Sequence, residues 1–280
     1  MIMYILELIK VIVLGIVQGI TEWLPISSTG HLILLNNLLS LKIYSDPMMN
    51  KEFIDMFTVV IQLGSILAVL LLYFHKLNPF SRFKNTAQKK DTILLWVHVV
   101  IAALPAAIVG LLFDDFIDGV LYNSLTVSIT LIVYGVLFIV VEQMNKKATI
   151  TTLKTMSFQV AFIIGLCQML ALIPGTSRSG ATIIGAILIG CSRSVAAEFS
   201  FFLAIPMMFG ASLLKLVKMK VALTLASGFA LMLGTFVAFI VSVFAIRFLM
   251  KFIKKYDFKP FGYYRIVLGV IVLISYFLGG

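Results

Sequence analysis

Six separate stretches of this sequence are apolar over about 20 residues, which is the length that an α-helix needs to cross a bilayer. Charged residues make up 12% of the chain and hydrophobic residues 61%, whereas a soluble domain carries about twice that charged fraction. We therefore predict an all-α polytopic membrane protein, folded as a single integral membrane domain over residues 1–280. The predicted transmembrane helices are residues 53–74, 92–113, 121–141, 196–217, 221–245 and 262–277.

Two further apolar segments are broken by polar motifs. Residues 1–18 lead into a motif that contains Glu22 and is stopped by Pro25, and the short apolar segment 32–39 follows. Residues 158–173 lead into the motif PGTSRSG at 174–180, and the short apolar segment 181–189 follows. Polar groups at membrane depth must face protein or a wet cavity. We therefore predict two re-entrant helical hairpins with polar tips.

The two broken segments resemble each other, which indicates an internal repeat. Gly15 and Gln18 match Gly165 and Gln168 at a shift of 150 residues, and the later Gly30 matches Gly180 at the same shift. The shared order of these matches favours two copies, approximately residues 1–142 and 157–280. Three predicted spans separate the hairpins, so the second copy must be inverted relative to the first, as in many transport folds.

The distribution of charge predicts an orientation. Basic residues give a net charge of +10 and lie mostly between the apolar stretches, in segments 76–90, 146–154 and 247–259 and at Arg193. The positive-inside rule places these segments in the cytoplasm. An acidic loop is then expected outside, formed by Asp114, Asp115 and Asp118. Three lysines oppose this orientation: Lys215, Lys218 and Lys220. Membrane topology explains the basic residues better than nucleic acid does, so no nucleic-acid partner is predicted.

The sequence gives no sign of a cleaved targeting segment or of a structural role for its cysteines. The first segment lacks a basic n-region and a small-residue cleavage site, so no cleaved signal peptide is expected. Cys167 and Cys191 both lie in apolar surroundings, which indicates neither a disulfide framework nor a zinc cluster.

The residues at the two tips suit phosphoryl transfer. Helix N-termini bind phosphate, and hydroxyl groups stand at both: Ser27, Ser28 and Thr29 in the first tip, and Thr176, Ser177 and Ser179 in the second. Arg178 adds a charged fork for bidentate phosphate contact. Glu22 and Gln18 are four residues apart and offer oxygens to a divalent cation. His31 suits acid–base work, and Ser28 or Ser27 could be the nucleophile, with Ser28 preferred.

The stretches QGITEWLPISSTGH at residues 18–31 and PGTSRSG at 174–180 resemble the two signatures of the bacterial undecaprenyl-diphosphate phosphatase, or bacitracin-resistance, family. The resemblance extends over essentially the whole chain. It implies a multi-pass enzyme of the bacterial cytoplasmic membrane that hydrolyses undecaprenyl diphosphate to undecaprenyl phosphate. Its active site would face the outside, and the enzyme would recycle the lipid carrier for cell-wall synthesis and confer bacitracin resistance.

The resemblance also implies roles for particular residues. The catalytic serine and histidine fall on Ser28 and His31, and the phosphate-binding arginine falls on Arg178. The acidic pair falls on Gln18 and Glu22, with a divalent cation such as Mg²⁺, Ca²⁺ or Mn²⁺. Gln18 departs from the two-carboxylate pattern. Because an amide can be neither a base nor a strong metal ligand, Glu22 must supply the negative charge alone.

Two other classes compete with this interpretation. A polyprenyl-phosphate lipid transporter or flippase would share the inverted repeat and broken helices, and it could coexist with phosphatase activity. A lipid phosphatase of the acid-phosphatase type would need a later histidine and aspartate at short spacing after Ser177-Arg178 or Ser192-Arg193, and no such histidine follows either pair. The sequence leaves open whether a phospho-serine intermediate forms and whether two copies form a homodimer.

Overall fold

The computed structural model describes residues 2–218 and 222–278, and among these it describes the side chains of all except 2–4, 33, 36–38, 114, 115 and 118. The predictions for Lys220 and for the start of the 221–245 span lie outside the described residues. The described residues form helices throughout, with a single β-bridge between Ile150 and Cys191 and no strand. The helices, in chain order, are α1 (Ile2–Thr21), α2 (Ser28–Leu39), α3 (Pro47–Val60), α4 (Gln62–Leu72), α5 (Phe74–Leu77), α6 (Thr86–Leu121), α7 (Ser124–Gln143), α8 (Phe158–Met169), α9 (Arg178–Ile189), α10 (Arg193–Lys218), α11 (Leu225–Phe252) and α12 (Lys259–Phe277).

Six candidate membrane spans, found within the described residues, confirm the all-α polytopic prediction. They are long and apolar enough to cross a bilayer, and each overlaps one predicted span: Pro47–Leu72, Thr86–Phe113, Ser124–Gln143, Arg193–Lys218, Leu225–Phe252 and Lys259–Phe277. Many of their large apolar side chains are exposed, as expected for helices that face lipid.

Several predicted boundaries are wrong because polar residues continue helices beyond the apolar core. The predicted acidic loop with Asp114, Asp115 and Asp118 is part of α6, which continues to Leu121. Arg247 and Lys251 lie on α11 rather than in the predicted basic loop. The first predicted span begins earlier, at Pro47, where Asp46 caps α3 by accepting from the Met49 N–H at 2.8 Å.

The two broken segments form two helix pairs, α1 with α2 and α8 with α9, in which α1 has 20 residues and the other three helices have 12 each. A 3-10 turn, Leu170–Leu172, extends α8 toward its tip. At the far end of the second pair, the Thr149 and Ile150 N–H groups donate to Gly190 O, so the chain enters and leaves this pair at the same end of the molecule. Re-entry of either pair into a membrane stays a prediction.

The long helices hold the two pairs in place through close backbone contacts. The α1 helix packs on α11, where a Cβ on Gly15 would lie 2.9 Å from Gly234 O. The α8 helix packs on α6, where a Cβ on Gly165 would collide with Ala102 O. Such close approach of helices is typical of small residues in membrane proteins. Together with the α7–α12 contact, this packing directs both tips to the middle of the molecule.

Candidate active site between the two helix tips

The two tips share an unusual local geometry. Ser27 precedes α2 with φ 73° and Ser177 precedes α9 with φ 70°, a left-handed conformation that is strained for serine. Each serine caps its helix, because Ser27 Oγ accepts from the Gly30 N–H at 3.3 Å and Ser177 Oγ accepts from the Gly180 N–H at 3.2 Å. The N-termini of α2 and α9 are therefore fixed where the tips meet.

Glu22 is the centre of the hydrogen bonding between the tips and is only 7% exposed. Arg178 Nη2, from the other tip, donates to Glu22 Oε1 at 2.9 Å. Gln18 Nε2 and Ser28 Oγ donate to Glu22 Oε2 at 2.9 and 3.1 Å. A buried carboxylate is stable only when it is paired and hydrogen-bonded, and these three donors meet that need.

The guanidinium of Arg178 is held from three directions. Its Nη1 donates to Ser200 O at 2.7 Å, and its plane lies over the ring of Trp23 at 5.5 Å. The ion pair with Glu22 fixes the third side. Its Nε is buried and has no hydrogen-bond partner among the described residues. Arg178 is therefore pre-positioned and retains a free donor.

A cavity of about 200 Å³ opens beside this ion pair. The polar residues that line it are Glu22, Ser28, Thr29, Gln62, Gln168, Ser177 and Arg178. Its remaining wall is apolar and includes Leu172, Met207 and Met208. A permanent cation, hydroxyl groups and two helix N-termini around one cavity suit a phosphate group.

Three of the predicted phosphate-binding residues lie behind the cavity wall rather than on it. Ser27, Thr176 and Ser179 are buried and are not among the described residues that line the cavity. Ser179 Oγ lies 3.1 Å from Ser177 Oγ and donates to Glu22 O at 3.4 Å. Thr176 Oγ1 has no partner within the described part of the chain. Ser28, Thr29 and Ser177 reach the cavity directly, so the hydroxyl groups divide into two layers.

His31 is also absent from the described cavity lining. Its Nδ1 lies 2.6 Å from Ser27 O and its Nε2 lies 2.6 Å from the Tyr264 hydroxyl. A carbonyl can only accept, so neutral His31 carries its proton on Nδ1 and accepts from Tyr264 through Nε2. The ring also stacks on Tyr264, with 5.6 Å between centroids. The proton-transfer role of His31 stays a prediction.

Arg265, which sequence reasoning missed, joins the two tips. It is fully buried on α12 and donates through Nη1 to Pro25 O at 3.3 Å. Its Nη2 donates to Gly175 O at 2.8 Å and Thr176 O at 2.9 Å. The available signal was a single arginine inside a predicted span, which by itself marks a functional position. Arg265 holds the two tips in register.

The oxygen ligands at the predicted cation site are sufficient for a cation only if the substrate supplies further ligands. Both Glu22 oxygens already accept from side chains, whereas the buried Gln18 Oε1 has no partner within the described part of the chain. One carboxylate and one amide oxygen are too few for Ca²⁺, but Mg²⁺ is often held by one or two carboxylates together with substrate phosphates. Glu22 and Gln18 could therefore hold a cation that also binds a diphosphate.

The fold and the site define a polytopic α-helical membrane protein with a phosphate-suited site between two helix tips. Residues 11–271 match the family described as "Bacitracin resistance protein BacA", and the chain belongs to this family. It is 58% identical over 275 residues to an "Undecaprenyl-diphosphatase" of Acetivibrio thermocellus, covering 98% of each chain. It is 57% identical to an "Undecaprenyl-diphosphatase" of Enterococcus faecalis, covering 96% of this chain and 97% of the relative, and 54% identical to "Undecaprenyl-diphosphatase 1" of Clostridioides difficile, covering 98% of each.

Proposed function

We propose that this protein hydrolyses undecaprenyl diphosphate to undecaprenyl phosphate and inorganic phosphate. Family membership and the names of relatives more than 50% identical over nearly the whole chain support this activity. The observation that carries the proposal is the contact between Arg178 and Glu22, 2.9 Å apart, on the wall of a cavity flanked by two helix N-termini. That arrangement binds an anion and places a carboxylate beside it.

The hydrogen bonds support a role for each group in this reaction. Arg178 and the N-termini of α2 and α9 hold the terminal phosphoryl group and stabilise the charge that grows on its oxygens. Ser28 Oγ, which donates to Glu22 Oε2 at 3.1 Å, attacks phosphorus or aligns the water that does. Glu22 accepts the proton released by that attack. The new P–O bond forms as the bridging P–O bond breaks, and undecaprenyl phosphate leaves. Where water is the nucleophile, inorganic phosphate forms in the same step; where Ser28 is the nucleophile, water then hydrolyses the phospho-serine and releases inorganic phosphate. We propose that His31 then relays the released proton to solvent through Tyr264, whose hydroxyl lies 2.6 Å from His31 Nε2.

A divalent cation would bind with the substrate rather than to the free protein. Glu22 and the unpartnered Gln18 Oε1 supply two ligands, and the diphosphate supplies the others. Such a cation would neutralise phosphate charge during the reaction. The protein's own part is to orient these oxygens, which the Gln18–Glu22 hydrogen bond of 2.9 Å does at the C-terminal end of α1.

The charge distribution supports an active site that opens to the outer face of the bacterial cytoplasmic membrane. The basic segments meet at one end of the molecule, where Lys154 pairs with Asp91 at 2.6 Å and Arg193 pairs with Glu142. The Phe258 N–H also donates to Glu142 Oε1 there, at 3.0 Å. The positive-inside rule makes this end cytoplasmic. The first tip is then reached from the opposite, outer end.

The decisive experiment measures phosphate release from a polyprenyl diphosphate by purified protein, with and without a chelator. We expect release by the wild type, loss of release with the chelator, and inactive but folded Glu22→Gln and Arg178→Ala variants. Arg82→Ala, in an exposed loop, is the matched control and should keep full activity. A wild type that binds the lipid without releasing phosphate would refute hydrolysis and leave the transport alternative.

A further inference from the structure

Gln168 lies at the end of α8, just before the second tip, and has no role in the mechanism above. It is only 1% exposed, and it lines the same cavity as Glu22, Ser28 and Arg178. Neither Gln168 Nε2 nor Gln168 Oε1 has a hydrogen-bond partner among the described residues. Burial of an amide with both groups unpaired is unfavourable and rare in folded proteins. The fold keeps this amide at a cost in stability, which points to a ligand.

The predicted internal repeat accounts for the lack of a partner among the described residues. Gln18, the predicted counterpart in the first half, donates to Glu22, four residues further along the chain. Four residues after Gln168 the chain has Leu172, which also lines the cavity. The second half therefore keeps the amide and lacks the carboxylate that would engage it. The cavity, about 200 Å³, has room for a ligand larger than one water, which occupies roughly 30 Å³ in the liquid.

We propose that Gln168 binds substrate directly: its Nε2 donates to an oxygen of the diphosphate held by Arg178, and its Oε1 accepts from a water in the same cavity. The assignment rests on the proposed function and adds a substrate contact from the second half of the chain. Both donor and acceptor capacity are then used, as a buried amide requires. Gln168 lines the cavity together with the ion pair, whereas Gln18 is not among the described residues that line it and donates to Glu22 Oε2.

The test replaces Gln168 with methionine, which is similar in size and cannot form these hydrogen bonds. We expect KM for a polyprenyl diphosphate and the inhibition constant of orthovanadate to rise about 10- to 100-fold, the loss typical of one hydrogen bond to a charged group. Because methionine removes an unpaired buried amide, the melting temperature should stay unchanged or rise. Gln159→Met, at the exposed start of the same helix, is the matched control and should change none of these values.

The remaining outcomes would overturn the assignment. An active wild type with a Gln168→Met variant that keeps both constants within twofold would show that Gln168 contacts only cavity water, while the proposed function stands. A lower melting temperature with unchanged constants would show a purely structural role. If the methionine variant does not fold, Gln168→Leu is measured in the same way. A wild type that releases no phosphate would refute the proposed function, and the Gln168 assignment with it.

Discussion

At the scale of single residues, Glu22 and Arg178 depend on each other. Each is largely buried, and each supplies the charge that the other needs across the boundary between the tips. Removal of one partner from a buried ion pair typically costs 3–5 kcal/mol, because the remaining charge is left uncompensated. The pair therefore joins stability and activity in one contact, and a double-mutant cycle can separate the two.

We predict that Arg178→Met lowers the free energy of unfolding by about 3 kcal/mol, because Glu22 then remains charged and buried without its cation. Adding Glu22→Gln to Arg178→Met should restore most of that stability and none of the phosphate release. Unfolding in detergent and phosphate release, measured on both single variants and the double variant, check this. A double variant less stable than either single variant would contradict the proposed coupling.

The glutamine at position 18 leads to a prediction about the cation. Gln18→Glu would place a second carboxylate four residues from Glu22 on one helix face. Because affinity for hard cations rises with the charge of the oxygen ligands, the Mg²⁺ or Ca²⁺ concentration for half-maximal phosphate release should fall about tenfold. Titration of the chelated enzyme with each cation measures this. Gln159→Glu is the exposed control. An unchanged titration of Gln18→Glu would place the cation elsewhere.

The sequence predicted the charged centre of the site well and its neighbours less well. Glu22 and Arg178 stand out because charge in apolar surroundings is costly and needs a reason. Arg265 carries the same kind of signal inside a predicted span, whereas Gln168 is uncharged and stands out in the sequence only as the match of Gln18 in the predicted repeat. The placement of His31 against Tyr264 depends on residues 233 positions apart, and local sequence patterns carry no information about such a contact.

Among the structural elements, the two tips carry backbone strain. Ser177 has φ 70° and ψ 122°, a region that glycine adopts at low cost and serine does not. Its Oγ offsets part of this strain by capping α9 through the Gly180 N–H. Strain of this kind persists only where surrounding contacts enforce it, and Arg265 supplies two of them by bonding Gly175 O and Thr176 O.

We predict that two small substitutions at Ser177 differ in their effect on stability. Ser177→Ala keeps the strain and loses the cap, so stability should fall by about 1 kcal/mol. Ser177→Gly also loses the cap but relieves the strain, so its stability should lie within about 0.5 kcal/mol of the wild type. Melting curves of the two variants in detergent compare them. A glycine variant that is less stable than the alanine variant would show that the backbone at Ser177 is not strained.

Helix positions were easier to predict than helix ends. Apolar stretches of bilayer length indicate spans reliably because water, lipid and backbone hydrogen bonding leave few alternatives. Helix ends depend on caps and on contacts outside the membrane. Asp46 caps the start of α3 inside a segment that is predicted to be a loop. The α6 helix continues through an acidic stretch, although hydropathy alone predicts that the helix ends before it.

For the whole molecule, the packing of the helices repeats itself between the two halves. The first helix of each half packs on the second membrane span of the other half: α1 on α11, and α8 on α6. The glycines at these contacts, Gly15 and Gly165, are 150 residues apart, as are the capping serines of the two tips. The last helices of each half, α7 and α12, pack on each other. This reciprocal packing of helices from the two halves supports the hypothesis of two inverted copies with one site between them.

The orientation of the protein in the membrane is testable, because the two ends of one membrane span must label from opposite sides. Ser45 precedes the Pro47–Leu72 span and Arg82 follows it, and both residues are exposed. With Cys167→Ala and Cys191→Ala as the background, we predict that Ser45→Cys reacts with a membrane-impermeant maleimide in intact cells. Arg82→Cys should react only after the membrane is permeabilised, because it lies at the basic end, which the positive-inside rule predicts to be cytoplasmic.

Labelling after permeabilisation is the control for both positions, because each should then react fully. The reverse pattern in intact cells would place the basic end outside and would close the proposed outer route to the first tip. Labelling of both positions in intact cells would show that Pro47–Leu72 does not cross the membrane. The predicted pattern instead would support the proposed route to Glu22 from the outer end of the molecule, where α1 begins and α2 ends. A diphosphate headgroup in the outer leaflet would then reach Arg178 without crossing the basic surface.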